Sequence, residues 1–289
     1  MGTLLLEDGI PLETCFEELC VTQPKRIEMI HEQYIRAGAR VIETNSFGAN
    51  AVRLERFGLE GRVAEINRAA AQVASKAALG KDVFVAGSVG PLNVTGEEEL
   101  SRGVDRASCF REQIKGLLEG GADLIFFETF RECEEMEIAF QAGKEVGAGL
   151  AVCSFTCDPE GRISSGMSLE DAFARLRALG APIVGVNCMN GPTGVVQLLQ
   201  RVPAEYLLAA YPNAGLPRYH EGRFIYQLEP ESFAHSAREL VAAGARLVGG
   251  CCGTNPKHIA ALAAAIENMR PARGCRQRLV RDACPPADS

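Results

Sequence analysis

Short apolar runs recur along the chain, and each run is followed by a polar or glycine-rich turn and then by a helical pattern. Runs of this length without polar alternation are typical of parallel strands that are buried on both faces. We predict seven such strands, at residues 40–46, 83–90, 124–129, 150–155, 183–188, 207–213 and 247–252. Because the strands alternate with helices, the pattern predicts an α/β fold with one parallel sheet.

The segments between the runs carry apolar residues at helical spacing, as in Val63, Ile66, Ala70 and Val73. No Gly-x-Gly-x-x-Gly motif follows a predicted strand, which disfavours an open, doubly wound dinucleotide-binding sheet. We therefore expect a closed (β/α)8 TIM barrel. Such a barrel needs eight strands and the pattern gives seven, so the first strand is expected to be missing at the N-terminus.

The 289 residues, 47% of them hydrophobic, suffice for one sizeable core. Composition alone fits a single barrel as well as two smaller domains, but no linker interrupts the repeated strands and helices. We assign residues 1–270 to a barrel. Residues 271–289 are polar and contain proline, so we assign them to a C-terminal tail or linker stub.

Charge and cysteine content indicate which binding partners and which cell compartment to expect. A net charge of -7 with scattered basic residues argues against nucleic-acid binding. No uninterrupted apolar stretch reaches about 18 residues, which argues against a membrane span. Eleven cysteines without a secretory leader favour a reducing cytoplasm over a disulfide framework. The expected partner is a small molecule.

Three cysteines stand at predicted strand ends. Cys188 ends one apolar run, and Cys251 and Cys252 lie within Gly-Gly-Cys-Cys-Gly at the end of the last run. Parallel strands end at the same edge of a sheet, so three thiolates there can hold zinc and leave one position open, which implies catalysis. Adjacent cysteines on a strand point to opposite faces, so the chain must leave extended geometry there, and the glycines permit this.

Other uses of the cysteines stay open. Vicinal cysteines are often small core residues, and a redox-active vicinal disulfide is a third possibility. Cys153 and Cys157 lie near another strand end and are rival ligands. Most of the remaining cysteines, such as Cys15, Cys109 and Cys133, are expected to pack in the core.

Several stretches resemble the homocysteine S-methyltransferase family, the zinc-dependent barrel that also begins cobalamin-dependent methionine synthase. The resemblance runs along nearly the whole chain and rests on stretches at residues 2–3, 15–19, 37–50, 86–91, 127–130, 186–188, 212–217 and 249–254. The residues at 16–19 and 212–226 most resemble those of bacterial proteins that fuse this barrel to a methylenetetrahydrofolate reductase. Family members carry an apolar strand and Asp-Gly-Ala before the position of Met1, so we favour a misplaced start.

The resemblance implies a set of roles for residues of this chain. Cys188, Cys251 and Cys252 would bind Zn2+, the homocysteine sulfur would take the fourth position, and Glu128 would hold the substrate ammonium group. Asn45 and Asn187, also at strand ends, are candidates for hydrogen bonds to the substrate or for fixing loops.

The implied reaction is zinc-dependent transfer of a methyl group to the thiol of homocysteine, giving methionine, which is a reaction of EC class 2.1.1. The donor is open: S-methylmethionine, S-adenosylmethionine, or methylfolate or methylcorrinoid carried by another domain or protein. The alternatives are a catalytically impaired zinc-binding barrel module and a zinc-thiolate alkyltransferase that acts on another thiol.

Overall fold

Seven parallel strands form one curled sheet in which each strand pairs with its neighbours in chain order. The computed structural model describes residues 1–94, 103–188, 191–216, 218–220 and 223–269. The strands of the sheet are β1 Val41–Glu43, β2 Phe84–Val89, β3 Leu124–Phe130, β4 Ala151–Phe155, β5 Ile183–Asn187, β6 Leu208–Tyr211 and β9 Ala245–Val248. The predicted parallel α/β fold is confirmed, as a half-barrel rather than as a demonstrated eight-stranded barrel.

Helices cover the outer face of the sheet. They are α1 Gly2–Glu7, α2 Leu19–Thr22, α3 Pro24–Arg36, α4 Ala51–Leu54, α5 Val63–Ala78, α6 Arg106–Glu119, α7 Cys133–Glu145, α8 Leu169–Ala178, α9 Pro192–Leu199, α10 Pro230–Ala242 and α11 Pro256–Ile266. Within the described ranges, no helix is long and apolar enough to cross a membrane. The predicted tail at 271–289 lies outside the described residues.

Alternate residues of the strands build two packed layers, as expected for a sheet buried on both faces. Phe127 and its outward neighbours join the helices in the largest core cluster, where its ring centroid lies 6.2 Å from that of Phe130. The inner face of the curl carries a second cluster, which includes Ala86, Leu124 and Phe126. The inner face therefore holds a packed floor, above which the strand ends are free to carry functional side chains.

The last strand of the sheet differs most from its predicted position. It spans 245–248 rather than 247–252, because the glycine-rich segment after Val248 turns away from extended geometry. A short antiparallel hairpin, β7 Arg218–His220 with β8 Arg223–Ile225, was not predicted. It lies between β6 and α10 in the chain and interrupts the regular repeat of strand and helix.

Helix α11 begins as the sequence predicts, with Asn255 as its cap and Pro256 in its first turn. Its third residue, His258, is buried. Its Nδ1 lies 2.9 Å from Oδ1 of Asn255, and its Nε2 lies 2.7 Å from the carbonyl oxygen of Leu228. Both ring nitrogens thus have protein partners, as buried polar groups usually do.

The sheet stays open between β1 and β9, which are its two edge strands. The helices outside this gap nevertheless meet, since a Cβ at Gly38, just after α3, would lie 3.0 Å from the Cβ of Ala263 in α11. A cavity of about 1330 Å³ fills the space between the edges and extends to the carboxyl ends of the strands. Residues from β1, β9, α3 and α11 line it.

Candidate metal centre

Three cysteine sulfur atoms meet at the carboxyl-terminal edge of the sheet. Cys188 directly follows β5, and Cys251 and Cys252 lie in the loop after β9. The Sγ of Cys252 lies 3.5 Å from that of Cys188 and 3.9 Å from that of Cys251. All three sulfur atoms lie within 4.8 Å of one another, so the structure brings together the cysteines that the sequence singles out.

The loop after β6 holds both cysteine segments in place. The amide of Cys188 donates to the carbonyl oxygen of the last residue of β6 at 3.1 Å, and that of Cys251 donates to the carbonyl oxygen of Pro212 at 2.9 Å. The amide of Cys252 donates to Oδ1 of Asn213 at 3.1 Å. Because β6 lies between β5 and β9, its loop fixes one cysteine segment on each side.

Glycine and threonine shape the turn that lets Cys251 and Cys252 share one site. Gly253 has a φ of +78°, a conformation that favours glycine. A Cβ at Gly250 would lie 2.4 Å from Cγ2 of Thr254, so a side chain there is excluded. The Thr254 hydroxyl donates to the carbonyl oxygen of Cys251 at 2.7 Å and closes the turn. The expected departure from extended geometry is confirmed.

Asn187, the last residue of β5, ties the cysteine site to β3. Its Oδ1 accepts from the amide of Thr129 at 2.8 Å, and its Nδ2 donates to the Thr129 hydroxyl at 2.7 Å. The same Nδ2 lies 3.9 Å from Sγ of Cys251. Thr129 and Cys188 have φ values of +63° and +54°, which are uncommon for residues with a Cβ. The buried Asn187 amide therefore holds two strained strand ends beside the sulfur atoms.

The pKa values of the cysteines in the cluster are shifted in opposite directions. Hydrogen bonds from Cys188 and then Cys251 lower the pKa of Cys252 to about 3, and the Tyr226 phenol adds a further hydrogen bond. The hydrogen bond with Cys188 is the main reason that the pKa of Cys251 is raised well above its ordinary range. The negative charge is therefore most favourable on Cys252 among the three sulfur atoms. A bound divalent cation would favour three thiolates instead.

The spacing of the sulfur atoms fits a tetrahedral metal site. Zinc–sulfur bonds of roughly 2.3 Å in a tetrahedron place sulfur atoms roughly 3.8 Å apart. The two measured separations, 3.5 and 3.9 Å, lie on either side of that value. Thiolates are soft donors that suit zinc, and three of them leave one tetrahedral position for a further ligand.

Glu128, in β3, faces the same cavity as the three cysteines. Its Oε1 accepts a hydrogen bond from the hydroxyl of Ser88 in β2. Burial raises the pKa of Glu128 to about 7, and the charge of Cys252 acts in the same sense. A partly desolvated carboxyl group gains most from a positively charged ligand, so its position suits an ammonium group.

Asn45 follows β1 and also lines the cavity. Its Nδ2 donates to the carbonyl oxygen of Phe16 at 2.6 Å and lies 3.6 Å from Sγ of Cys20. These contacts fasten the segment before α2 to the sheet edge. The rival ligands lie elsewhere, since Cys153 is fully buried in β4 and Cys157 packs against the same outer core.

Two residues of the site were missed by the sequence analysis. Glu43 ends β1 and lines the cavity, and its only signal was a strand-end position two residues before Asn45. Tyr226 packs on the turn of the cysteine loop, since a Cβ at Gly253 would lie 2.2 Å from Cγ of its ring. Tyr226 lies in a segment without apolar periodicity, so its position beside the cysteine loop could not be predicted from the sequence pattern.

A curled parallel α/β sheet with three thiols at its strand ends combines a barrel-like architecture with a group of residues that could hold a metal ion. The family model described as homocysteine S-methyltransferase matches residues 1–266. The chain belongs to the homocysteine S-methyltransferase family of enzymes. The resemblance drawn from the motifs is thereby confirmed.

Relatives of two kinds match the chain. Methionine synthase of Mycobacterium tuberculosis is 33% identical, over 92% of this chain and 24% of that protein. The chain thus spans about a quarter of the length of this curated relative. Two solved structures of the homocysteine methyltransferase MmuM from Escherichia coli, an oxidized and a metallated form, match with a TM-score of 0.74 each. They are 29% and 28% identical, over 91% of this chain and 93% of MmuM.

Proposed function

We propose that this chain transfers a methyl group to the thiol of homocysteine, giving methionine, at a zinc ion held by Cys188, Cys251 and Cys252. The geometry that carries this proposal is the approach of the three sulfur atoms to within 4.8 Å of one another. The family match and the metallated form of a similar homocysteine methyltransferase support it.

The acceptor thiol needs activation, because a thiol with a pKa near 8.5 is only a few per cent ionised at neutral pH. Bound zinc would supply it by stabilising a coordinated thiol as the nucleophilic thiolate. The chain's own residues position the reactants. Asn187 and the loop after β6 hold the cysteine sulfur atoms, and Glu128 receives the ammonium group of homocysteine.

The methyl donor must offer an electrophilic carbon, and more than one class of donor does so. A sulfonium such as S-methylmethionine or S-adenosylmethionine could enter the open cavity directly. A methylfolate or methylcorrinoid would be presented by another domain or protein. We propose a donor of one of these classes, in a cytoplasmic setting that keeps the cysteines reduced.

We also propose that a further strand, parallel to β1 and β9, closes the sheet into an eight-stranded barrel in the whole protein. Both edge strands face the cavity, and α3 and α11 already pack together outside it. Adjacent outer helices with an empty strand position beneath them fit the spacing of a closed barrel.

X-ray absorption at the zinc edge tests the proposed site. We expect three sulfur ligands and one lighter ligand in the purified, zinc-loaded chain, and four sulfur ligands after homocysteine is added. Cys251→Ser should abolish stoichiometric zinc and methyl transfer, because it removes one of three thiolates. Cys109→Ser, in α6 and outside the sulfur cluster, is the matched control and should keep both.

The outcomes separate the proposed function from its alternatives. Full activity in Cys251→Ser would refute the zinc site. Zinc binding by the unmodified chain without turnover for any donor would support an impaired binding module. A fourth sulfur ligand from another thiol, but not from homocysteine, would support a different acceptor.

A further inference from the structure

Tyr226 packs against the cysteine loop and reaches one of its sulfur atoms. The residue is half-buried, and a Cβ at Gly253 would lie 2.2 Å from Cγ of its ring. The ring therefore lies directly on the residue that follows the cysteine pair. The Tyr226 hydroxyl donates a hydrogen bond to Sγ of Cys252. A tyrosine that is removed from water usually gives its hydroxyl a partner in this way, while its ring packs as an apolar group.

The backbone beyond Tyr226 is anchored at Leu228. The amide of Leu228 donates to the carbonyl oxygen of Ala214 at 3.1 Å, and the carbonyl oxygen of Leu228 lies 2.7 Å from Nε2 of His258. Ala214 in turn donates its amide hydrogen to the carbonyl oxygen of Cys252 at 2.9 Å. The segment that carries Tyr226 is thus fixed to the cysteine loop by contacts that do not involve the sulfur atoms.

A methyltransfer site built on thiolates contains more than one nucleophile. In the proposed reaction, the electrophilic methyl carbon approaches the acceptor sulfur beside three cysteine thiolates, each of which is itself a nucleophile. If Cys252 reacted instead, its Sγ would form a bond with the methyl carbon, and the donor would leave with the electron pair of the bond that breaks. The product, S-methylcysteine, is a neutral thioether that lacks the thiolate charge with which cysteine binds zinc.

We infer that Tyr226 protects Cys252 from methylation and thereby directs the methyl group to the acceptor sulfur. The hydrogen bond engages electron density of the sulfur atom and makes it a weaker nucleophile, while the ring covers the turn beside it. This inference rests on the proposed function and adds a residue that determines which sulfur atom reacts. Tyr226 acts through Cys252 and is therefore a positioning residue.

Methylation of the zinc-loaded full chain by methyl iodide tests this role without a natural methyl donor. Tandem mass spectrometry measures the gain of a methyl group at each cysteine of the cluster, and zinc release is followed in parallel. Tyr226→Phe removes only the hydroxyl and keeps the ring on the cysteine loop, so it should still bind zinc. Methylation of Cys252 should become about 10-fold faster in this variant, because the thiolate loses a hydrogen bond. Methylation of Cys188 should stay unchanged.

Tyr206→Phe is the matched control, because Tyr206 lies outside the cluster and packs on Phe173, with ring centroids 6.3 Å apart. It should react as the unmodified chain does. Equal rates at Cys252 in Tyr226→Phe and in the unmodified chain would overturn the inference. Equal acceleration at all three cysteines, or loss of zinc before any methylation, would also overturn it, since either result would mark Tyr226 as structural.

The assay also separates this inference from the proposed function. It measures the cysteines themselves, so a chain that binds zinc but does not methylate homocysteine would refute the proposed acceptor and leave the test of Tyr226 intact. A chain that binds no zinc at its three cysteines would refute both.

Discussion

His31 is a buried histidine in α3 whose ring has an unsatisfied nitrogen. It is 2% exposed, and its Nε2 has no hydrogen-bond partner within the described part of the chain. Burial, and then the charge of the Met1 ammonium group, lower the pKa of His31 to about 3. The ring is therefore neutral in the folded protein at neutral and mildly acidic pH.

This pKa makes the stability of the protein fall in mild acid. Between pH 6.5 and 3 the unfolded chain binds a proton at His31 that the folded chain does not, so the free energy of unfolding decreases as pH falls. At pH 5 the loss from this residue is about 2 kcal/mol. We expect His31→Gln to lose about 2 kcal/mol less than the unmodified chain between pH 7 and pH 5 in urea denaturation.

The exposed His235 provides the control for this measurement. His235→Gln should follow the pH dependence of the unmodified chain. Parallel stability curves for His31→Gln and the unmodified chain would show that the His31 ring accepts a proton in the folded state.

Among the elements, the loop after β9 depends most on its backbone conformation, because that conformation brings Cys251 and Cys252 into one site. Gly253→Ala should destabilise the protein and weaken zinc binding, because the new methyl group meets the Tyr226 ring and the φ of +78° disfavours alanine. The φ alone costs roughly 1–2 kcal/mol. Gly147→Ala separates the two effects, since Gly147 has a φ of +88° and open space around it.

Chemical denaturation and zinc titration of both glycine variants check this expectation. Gly147→Ala should lose only the backbone cost and keep its zinc affinity, whereas Gly253→Ala should lose more stability and zinc affinity as well. If the two variants lose the same stability and keep the same zinc affinity, the contact with Tyr226 plays no part in shaping the cysteine loop.

The sequence predicts elements well where burial leaves a simple pattern. Parallel strands covered on both faces appear as uninterrupted apolar runs, so all seven strands of the sheet were found. The last strand was predicted too far toward the C-terminus, because the glycines and cysteines after Val248 continue its run of small and apolar residues. The β7–β8 hairpin was missed, because its short strands lack a run of apolar residues.

In the candidate site, too, some residues could be predicted from the sequence and others could not. The sequence was enough to group Cys188, Cys251 and Cys252. Parallel strands end at one edge of a sheet, so residues at their ends come together whatever the details of packing. The contacts of Glu43 and Tyr226 depend on the curvature of the sheet and on an irregular segment, neither of which periodicity encodes. The pairing of both ring nitrogens of His258 likewise required the packed structure.

At the scale of the whole molecule, the open sheet predicts uneven protection of backbone amides. The carbonyl oxygen of Arg40 accepts a hydrogen bond from an amide of β2, and the amide of Thr44 donates to a carbonyl oxygen of β2. Because successive backbone groups of a strand point to opposite sides, the amides of Val41 and Glu43 point away from β2, toward the open edge of the sheet. At the centre of the sheet, the amide of Ile125 donates to the carbonyl oxygen of Leu150 at 3.0 Å. Edge amides without a ladder partner open by local fluctuation.

Native-state hydrogen exchange of the purified chain tests this. The amides of Val41 and Glu43 should exchange several orders of magnitude faster than that of Ile125, whose protection should approach the free energy of global unfolding. Strong protection at both edge positions would show that another strand already covers β1 in solution, whether from a second copy or from this chain.

The sulfur cluster joins parts of the chain that are far apart, since Cys188 and Cys252 are 64 positions apart in the sequence. A metal bound there would act as a removable cross-link that closes a long loop, containing α9, β6, the hairpin, α10 and β9. Closing such a loop restricts the unfolded chain, so each increment of metal affinity is also an increment of conformational stability. Removal of such a metal would then loosen the segment between Cys188 and Cys251 first.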